Sequence, residues 1–184
     1  MLDLAGRIAV ITGGSGALGL AVAKELNGLG AHVILLGRSS DKLNEAISQI
    51  DSTSGSSSFY ACDVSNEDSL AQAAEQIFSI HSSVDILVTC AAAPAAGGKF
   101  EESSLDEWHS LLSTDLDGVY LACRIFGKSM INQYLSLSGL HILFYRWGRI
   151  IVGDSTRVLP GFSCRSYYFL LSSRLIKVSN NRLL

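Results

Sequence analysis

The stretch Ile8-Ala9-Val10-Ile11-Thr12-Gly13-Gly14-Ser15-Gly16-Ala17-Leu18-Gly19 decides the fold. Its apolar, β-branched start reads as a buried strand, and Leu18, Val22 and Leu26 then recur at every fourth position, the period of a helix. The order is therefore strand, glycine turn, helix. Gly14, Gly16 and Gly19 satisfy G-x-G-x-x-G. In this context the glycines allow a tight turn and let the backbone approach a pyrophosphate, whose charge the N–H groups and dipole of the helix N-terminus stabilise. A glycine loop without that flanking pattern would be no more than a flexible connection.

Working outward, residues 7–12 are expected as the first strand and 17–29 as the first helix, with Gly30 as its stop. His32-Val33-Ile34-Leu35-Leu36 is a near-continuous apolar run, the pattern of a parallel strand buried on both faces. Gly37 and Arg38 follow it, where a carboxylate would bind the ribose 2′-hydroxyl of NAD and a basic group the 2′-phosphate of NADP. Arg38, with no acid beside it, favours NADP over NAD. Asp41 reads as the N-cap of a second helix over 42–50. The serine-rich residues 51–58 are a surface loop, residues 57–62 a third strand, and Ser65 with Asp68 a capping box for a third helix carrying Leu70, Ala74 and Ile77. Residues 84–88 give a fourth strand, and a long helical pattern runs from Leu105 towards Met130. Residues 148–152 read as a fifth strand, and 167–178 as apolar with weak helical character. Strands alternating with helices in this way predict an α/β doubly wound parallel sheet, in the order 3-2-1-4-5, as one domain over residues 1–184.

Composition narrows the function classes. With 184 residues and 48% hydrophobic content, the chain suits a single core. A net charge of −3 with scattered Lys and Arg predicts no nucleic-acid partner. Cys62, Cys90, Cys123 and Cys164 form no C-x-x-C pair and read as reduced thiols, and the four histidines are too dispersed for a metal site. Asp115-Leu116-Asp117-Gly118 lacks the other positions of a calcium loop. The start of the chain has neither the charge pattern of a signal peptide nor the length of a membrane span, so a cytoplasmic protein is expected.

Together these residues resemble the short-chain dehydrogenase/reductase family. Thr12, Gly13 and Gly19 match its TGxxxGxG motif, with Ala17 at the middle glycine and Gly16 beside it. Its Asp-Val after the third strand appears as Asp63-Val64, its NNAG as Thr89-Cys90-Ala91-Ala92, and its helical asparagine as Asp115, three residues before Gly118. The resemblance implies a Rossmann-like fold and an NADP(H)-dependent oxidoreductase that reduces a carbonyl or oxidises a secondary alcohol, such as a 3-oxoacyl thioester, sugar acid or steroid-like ketone. It implies that Gly13, Gly14, Ser15, Gly16, Leu18, Gly19 and Ala91 cradle the cofactor, that Arg38 holds its 2′-phosphate, and that Asp63 and Val64 flank adenine.

The same resemblance assigns catalysis to Ser155 and to Tyr168 or Tyr167, with Asp115 at the asparagine position. In the family the tyrosine donates a proton to the substrate oxygen, the serine orients that oxygen, and a lysine four residues after the tyrosine stabilises the phenolate. Positions 171 and 172 are Leu171 and Ser172, and none of the five lysines follows a tyrosine by four residues. Residues 134–146 read as an insertion and 165–184 as a divergent tail, and the family's last strands are missing from the pattern. This abrupt loss suggests a truncated or mis-spliced product, which transcript sequencing would test. The alternative function is a catalytically inactive nucleotide-binding remnant that acts through subunit association, as a homo-oligomer joined by its long helix.

Overall fold

A computed structural model describes residues 3–51, 54–93, 100–134, 141–146, 149–154, 166–171 and 174–179. The first half is an alternation of strand and helix: β1 Ile8–Thr12, α1 Ala17–Gly28, β2 His32–Gly37, α2 Ser40–Ser48, β3 Ser56–Ala61, α3 Glu67–Ile80 and β4 Ile86–Thr89. The four strands are parallel in the order β3-β2-β1-β4, as the sequence pattern predicts. β1, β2 and β4 are buried almost throughout, whereas β3 is the partly exposed edge, which is why its sequence is serine-rich and theirs is aliphatic.

Alternation along each strand sends side chains to two separate cores. Ala9, Ile11, Val33, Leu35 and Val88 pack with Val22, Ala23 and Leu26 of α1 and Leu43 and Ala46 of α2. Val10, Ile34, Leu36 and Leu87 pack with Leu70, Ala74 and Ile77 of α3 and with Leu121, Phe126 and Met130 on the opposite face. Each such buried aliphatic or aromatic side chain contributes about 1.5–3 kcal/mol relative to exposure. β1–β4 are therefore covered on both sides, and because they run parallel their carboxyl ends share one edge.

Several boundaries differ from the sequence expectation for local reasons. The N-cap of α2 is Ser39, whose side chain accepts from the Lys42 amide, and Asp41 lies inside the first turn. α3 is capped by Asn66, which accepts from Ser69 N, and not by a Ser65–Asp68 box; Ser65 instead donates to Asp63. β4 begins at Ile86 because the Asp85 carboxylate is engaged with Ile8 N and the Arg7 guanidinium. The long helical pattern is α4 Leu105–Leu112 and α5 Gly118–Tyr134, joined by a π-helical turn Ser113–Asp117. A capping box of Ser104 and Glu107 opens α4.

The largest departure follows α5. The strand that pairs in parallel with β4 is β5 His141–Arg146, within the segment expected as an insertion. Its run His-Ile-Leu-Phe-Tyr is an apolar strand pattern. β6 Arg149–Asp154, which contains most of the expected fifth strand, pairs antiparallel on the outer side of β5. Residues expected to be weakly helical form β7 Ser166–Leu171 and β8 Arg174–Ser179, an antiparallel pair beyond β6. Tyr-Tyr-Phe and Leu-Ile-Lys-Val favour extended backbone more strongly than their faint helical period favours a helix.

Candidate functional site

The carboxyl ends of β1, β2, β3 and β4 meet at one edge, and the turn after β1 lies at its centre. Gly13 has φ +65°, which disfavours any side chain, and a Cβ there would lie 2.6 Å from the Cys90 carbonyl oxygen. A Cβ on Gly14 would meet Leu35 at 2.7 Å, and one on Gly19 would lie 2.4 Å from the Gly13 carbonyl oxygen. These three glycines let the turn fold against β2, the β4 loop and the start of α1 at once. Gly14 N donates to Leu36 O and Gly16 N to Gly13 O, which fixes its shape.

The helix this turn opens carries the chemistry. Gly16 is the N-cap of α1, has no side chain with which to cap, and no acidic residue stands in the first turn. The initial N–H groups and the dipole of α1 are thus left uncompensated by side chains, in contrast to α2, α3 and α4, each capped by a serine or asparagine. Gly16 is exposed and Ser15 and Leu18 are half-buried, so the turn presents its backbone to solvent. The donor set suits a pyrophosphate.

Beside it, Arg38 is exposed at the end of β2, and Asp63 stands just past β3 on the neighbouring strand. The Asp63 carboxyl is held below its ordinary range chiefly by the Ser65 hydroxyl, which donates to it at 2.7 Å, with the Ser65 amide and Arg38 adding to the effect against a desolvation penalty. Val64 is buried, and a Cβ on Gly118 would meet its Cγ2 at 2.8 Å. The bare Gly118 is what lets α5 close on the Asp63–Val64 loop.

On the other side, Thr12 Oγ1 accepts from the amides of Cys90 and Ala91, each at 3.2 Å. That hydroxyl ties the end of β1 to the loop after β4, a role the sequence reading did not assign, although a Thr ending a buried strand was its visible sign. Asp115 lies in the π-helical turn and its Oδ1 accepts from Ala93 N at 2.7 Å, so the long helix is tied to the same loop. π turns recur where helices serve a site. Asp115 is thereby brought to the loop that holds Ala91.

The structure thus assembles Gly13, Gly14, Ser15, Gly16, Leu18, Gly19, Arg38, Asp63, Val64, Ala91 and Asp115 around one edge. Of the catalytic candidates, Asp115 is in this set. Ser155 lies outside the described residues, and Tyr167 and Tyr168 are on strand β7, in register with Gly153 and Val152 of β6. Among the described residues, burial pushes the thiols of Cys62 and Cys123 up to about 11 and that of Cys90 to about 12, which disfavours the nucleophilic thiolate. Among the described residues no group of three or more His, Cys, Asp or Glu could hold a metal ion, and no helix is long and apolar enough to cross a membrane.

Known proteins share this arrangement. The short chain dehydrogenase family profile matches residues 7–156. An uncharacterized oxidoreductase of Bacillus subtilis, UxuB, is 33% identical over 149 residues, covering 71% of this chain and 52% of that protein. D-threitol dehydrogenase of Mycolicibacterium smegmatis is 31% identical over 133 residues, covering 70% and 49%. A solved metagenomic short-chain oxidoreductase in complex with NADP superposes with a TM-score of 0.66 at 35% identity, over 71% of this chain and 59% of that one. The chain spans about half the length of the curated relatives it matches.

Proposed function

The chain belongs to the short-chain dehydrogenase family, and from that premise we propose that it is an NADP(H)-dependent oxidoreductase acting on a carbonyl or secondary alcohol of a small molecule. The observation that carries the reading is the uncapped glycine turn with Arg38 beside it. The amides of the turn would hold the pyrophosphate, and the Arg38 guanidinium the 2′-phosphate. Asp63 and Val64 would border the adenine, and Ala91, fixed by Thr12, would line the floor. When bound, the nicotinamide supplies the hydride chemistry. Ser155 would orient the substrate oxygen and Tyr168, or Tyr167, would donate its proton. Asp115 would hold the loop after β4 in place through Ala93. The chain supplies no Y-x-x-x-K lysine to lower the tyrosine pKa, so a slow proton transfer belongs to this reading. The free cysteines suit a cytoplasmic setting.

A specific observation favours a second reading, that of a nucleotide-binding subunit without turnover. Leu105, Trp108, Leu116 and Tyr120 along α4, the π turn and α5 are 67%, 49%, 52% and 61% exposed. An apolar stripe of this kind suits association with another copy. Fluorescence titration of the full chain with NADPH and NADH, followed by a carbonyl-reduction assay, separates the two. A charge-assisted hydrogen bond contributes about 1.5–3 kcal/mol, so Arg38→Ala should weaken NADPH roughly tenfold or more and leave NADH nearly unchanged. Binding without turnover selects the second reading, and failure to bind either nucleotide refutes both.

A further inference from the structure

The opposite edge of the sheet, at the amino ends of its strands, holds a cluster that the nucleotide reading does not use. His32 opens β2 and is the register partner of Ser56, the first residue of edge strand β3. Its Nδ1 lies 2.5 Å from Ser56 Oγ and its Nε2 3.0 Å from Ser58 Oγ, so one ring is bonded to two successive same-face residues of β3. His81, the C-cap of α3, brings its ring to 4.8 Å from that of His32, tilted by 35°. Asn27 adds a second tie to the same strand end: its Nδ2 donates to Ser56 O at 2.9 Å and contacts Ala31 O at 3.4 Å.

A neutral imidazole has one donor and one acceptor nitrogen, and the two serine hydroxyls can satisfy both by rotating. An imidazolium has two donors. The hydroxyl that had donated can rotate its proton away and accept, so the serines stay bonded, but the charge would sit in a half-buried position against a second imidazole. Arg7, whose backbone carbonyl accepts from His32 N, is ion-paired at 2.8 Å with Asp85. Of the ionisable groups here, it is the neighbouring His81 whose charge acts on His32.

We propose that His32, with His81 beside it, is a proton-operated latch that holds the amino end of edge strand β3 to the sheet when neutral and loosens it when charged. Burial first, and His81 second, push the His32 imidazole below its ordinary 6.5. The sign follows. The unfolded chain takes up its proton first as pH falls, so the latch is fully closed above about 6.5 and is lost as pH drops through the lower folded value. An edge strand released at one end exposes unpaired backbone groups, the usual template for association between chains.

Amide hydrogen exchange on the full chain at pH 8 and pH 5.5, corrected for intrinsic rates, tests the latch. Protection at residues 56–59 should fall severalfold at the lower pH while Leu87 and Val88 of β4 keep theirs. His81→Asn should shrink that fall and move the His32 ring titration, followed by NMR, upward towards 6.5. His32→Asn should remove the pH dependence altogether. An equal loss of protection in β3 and β4, or a His32 titration unmoved by His81→Asn, would overturn the proposal. None of these readouts depends on nucleotide binding, so the latch and the oxidoreductase reading fail independently.

Discussion

Gly19→Ala is the sharpest probe of the nucleotide turn, because its effect runs against the ordinary rule for helices. Exchanging Gly for Ala in a helix stabilises by about 1 kcal/mol through propensity. At Gly19 the added methyl would lie 2.4 Å from the Gly13 carbonyl oxygen, 2.9 Å from the Gly13 carbonyl carbon and 3.0 Å from Gly14 Cα. All three are backbone atoms of the turn, so no flexible side chain can give way. Restoring ordinary contact requires the Gly13 peptide to retreat by roughly 0.6–1 Å, and overpacking of that size costs about 1–3 kcal/mol. Gly127, in α5, is the internal control: a Cβ there meets nothing within 4 Å. Propensity largely cancels between the two, so Gly19→Ala should be less stable than Gly127→Ala by about 1–3 kcal/mol in urea titration. The displaced Gly13 peptide should also lower NADPH affinity at least tenfold, whereas Gly127→Ala should bind as the parent does. A Gly19→Ala protein as stable as Gly127→Ala, with unchanged NADPH affinity, would refute the close-packed turn and with it the phosphate site.

Two further outcomes follow from groups around that turn. Thr12→Val keeps the shape but removes the acceptor for Ala91 N and one of the two acceptors for Cys90 N, and should cost about 1–2 kcal/mol in urea unfolding, with Thr12→Ser recovering most of it. The Asp63 carboxyl is depressed in the folded state, so its contribution is complete above the unfolded value near 4 and is lost as pH falls through the lower folded value. Asp63→Asn should therefore flatten the acid limb of the stability profile below about pH 4 and leave its shape near neutrality unchanged; an unaltered acid limb in that variant would contradict the Ser65 and Arg38 interactions.

How much of this was legible in the sequence depends on how local the signal is. The β1 turn, α1 and β2 could be read because aliphatic strands, a four-residue helical period and the glycine spacing agree with one another from Ile8 to Gly37. The residues proposed to face a cofactor include Gly13, Arg38 and Asp63, at or just past strand ends, where the strand pattern locates them. The caps were misread because Ser39 and Asn66 compete with Asp41 and Ser65 for the same helix starts, and only three-dimensional geometry decides which side chain reaches an amide. The π turn at Ser113–Asp117 was invisible, since an apolar period of about four tolerates one extra residue. Strand β5 is hard to read because residues 141–146 and 149–154 both carry apolar strand patterns, and only the pairing with β4 distinguishes them. The bonds of Thr12 and Asp115 to the loop after β4 span 78, 79 and 22 residues, and no local pattern reports contacts of that range.

The π turn has one more consequence. An i→i+5 turn takes up a single surplus residue while the helix on either side keeps its facing. Phe126 and Met130 remain seated on the sheet although the chain before them is one residue longer than a regular helix needs. The long helix therefore has slack at one place, Ser113–Asp117, where its length can change by a residue without rotating the half that closes the core. What such a change would forfeit is the Asp115 bond to Ala93, so the length of this segment answers to the loop it holds and not to the stability of the fold.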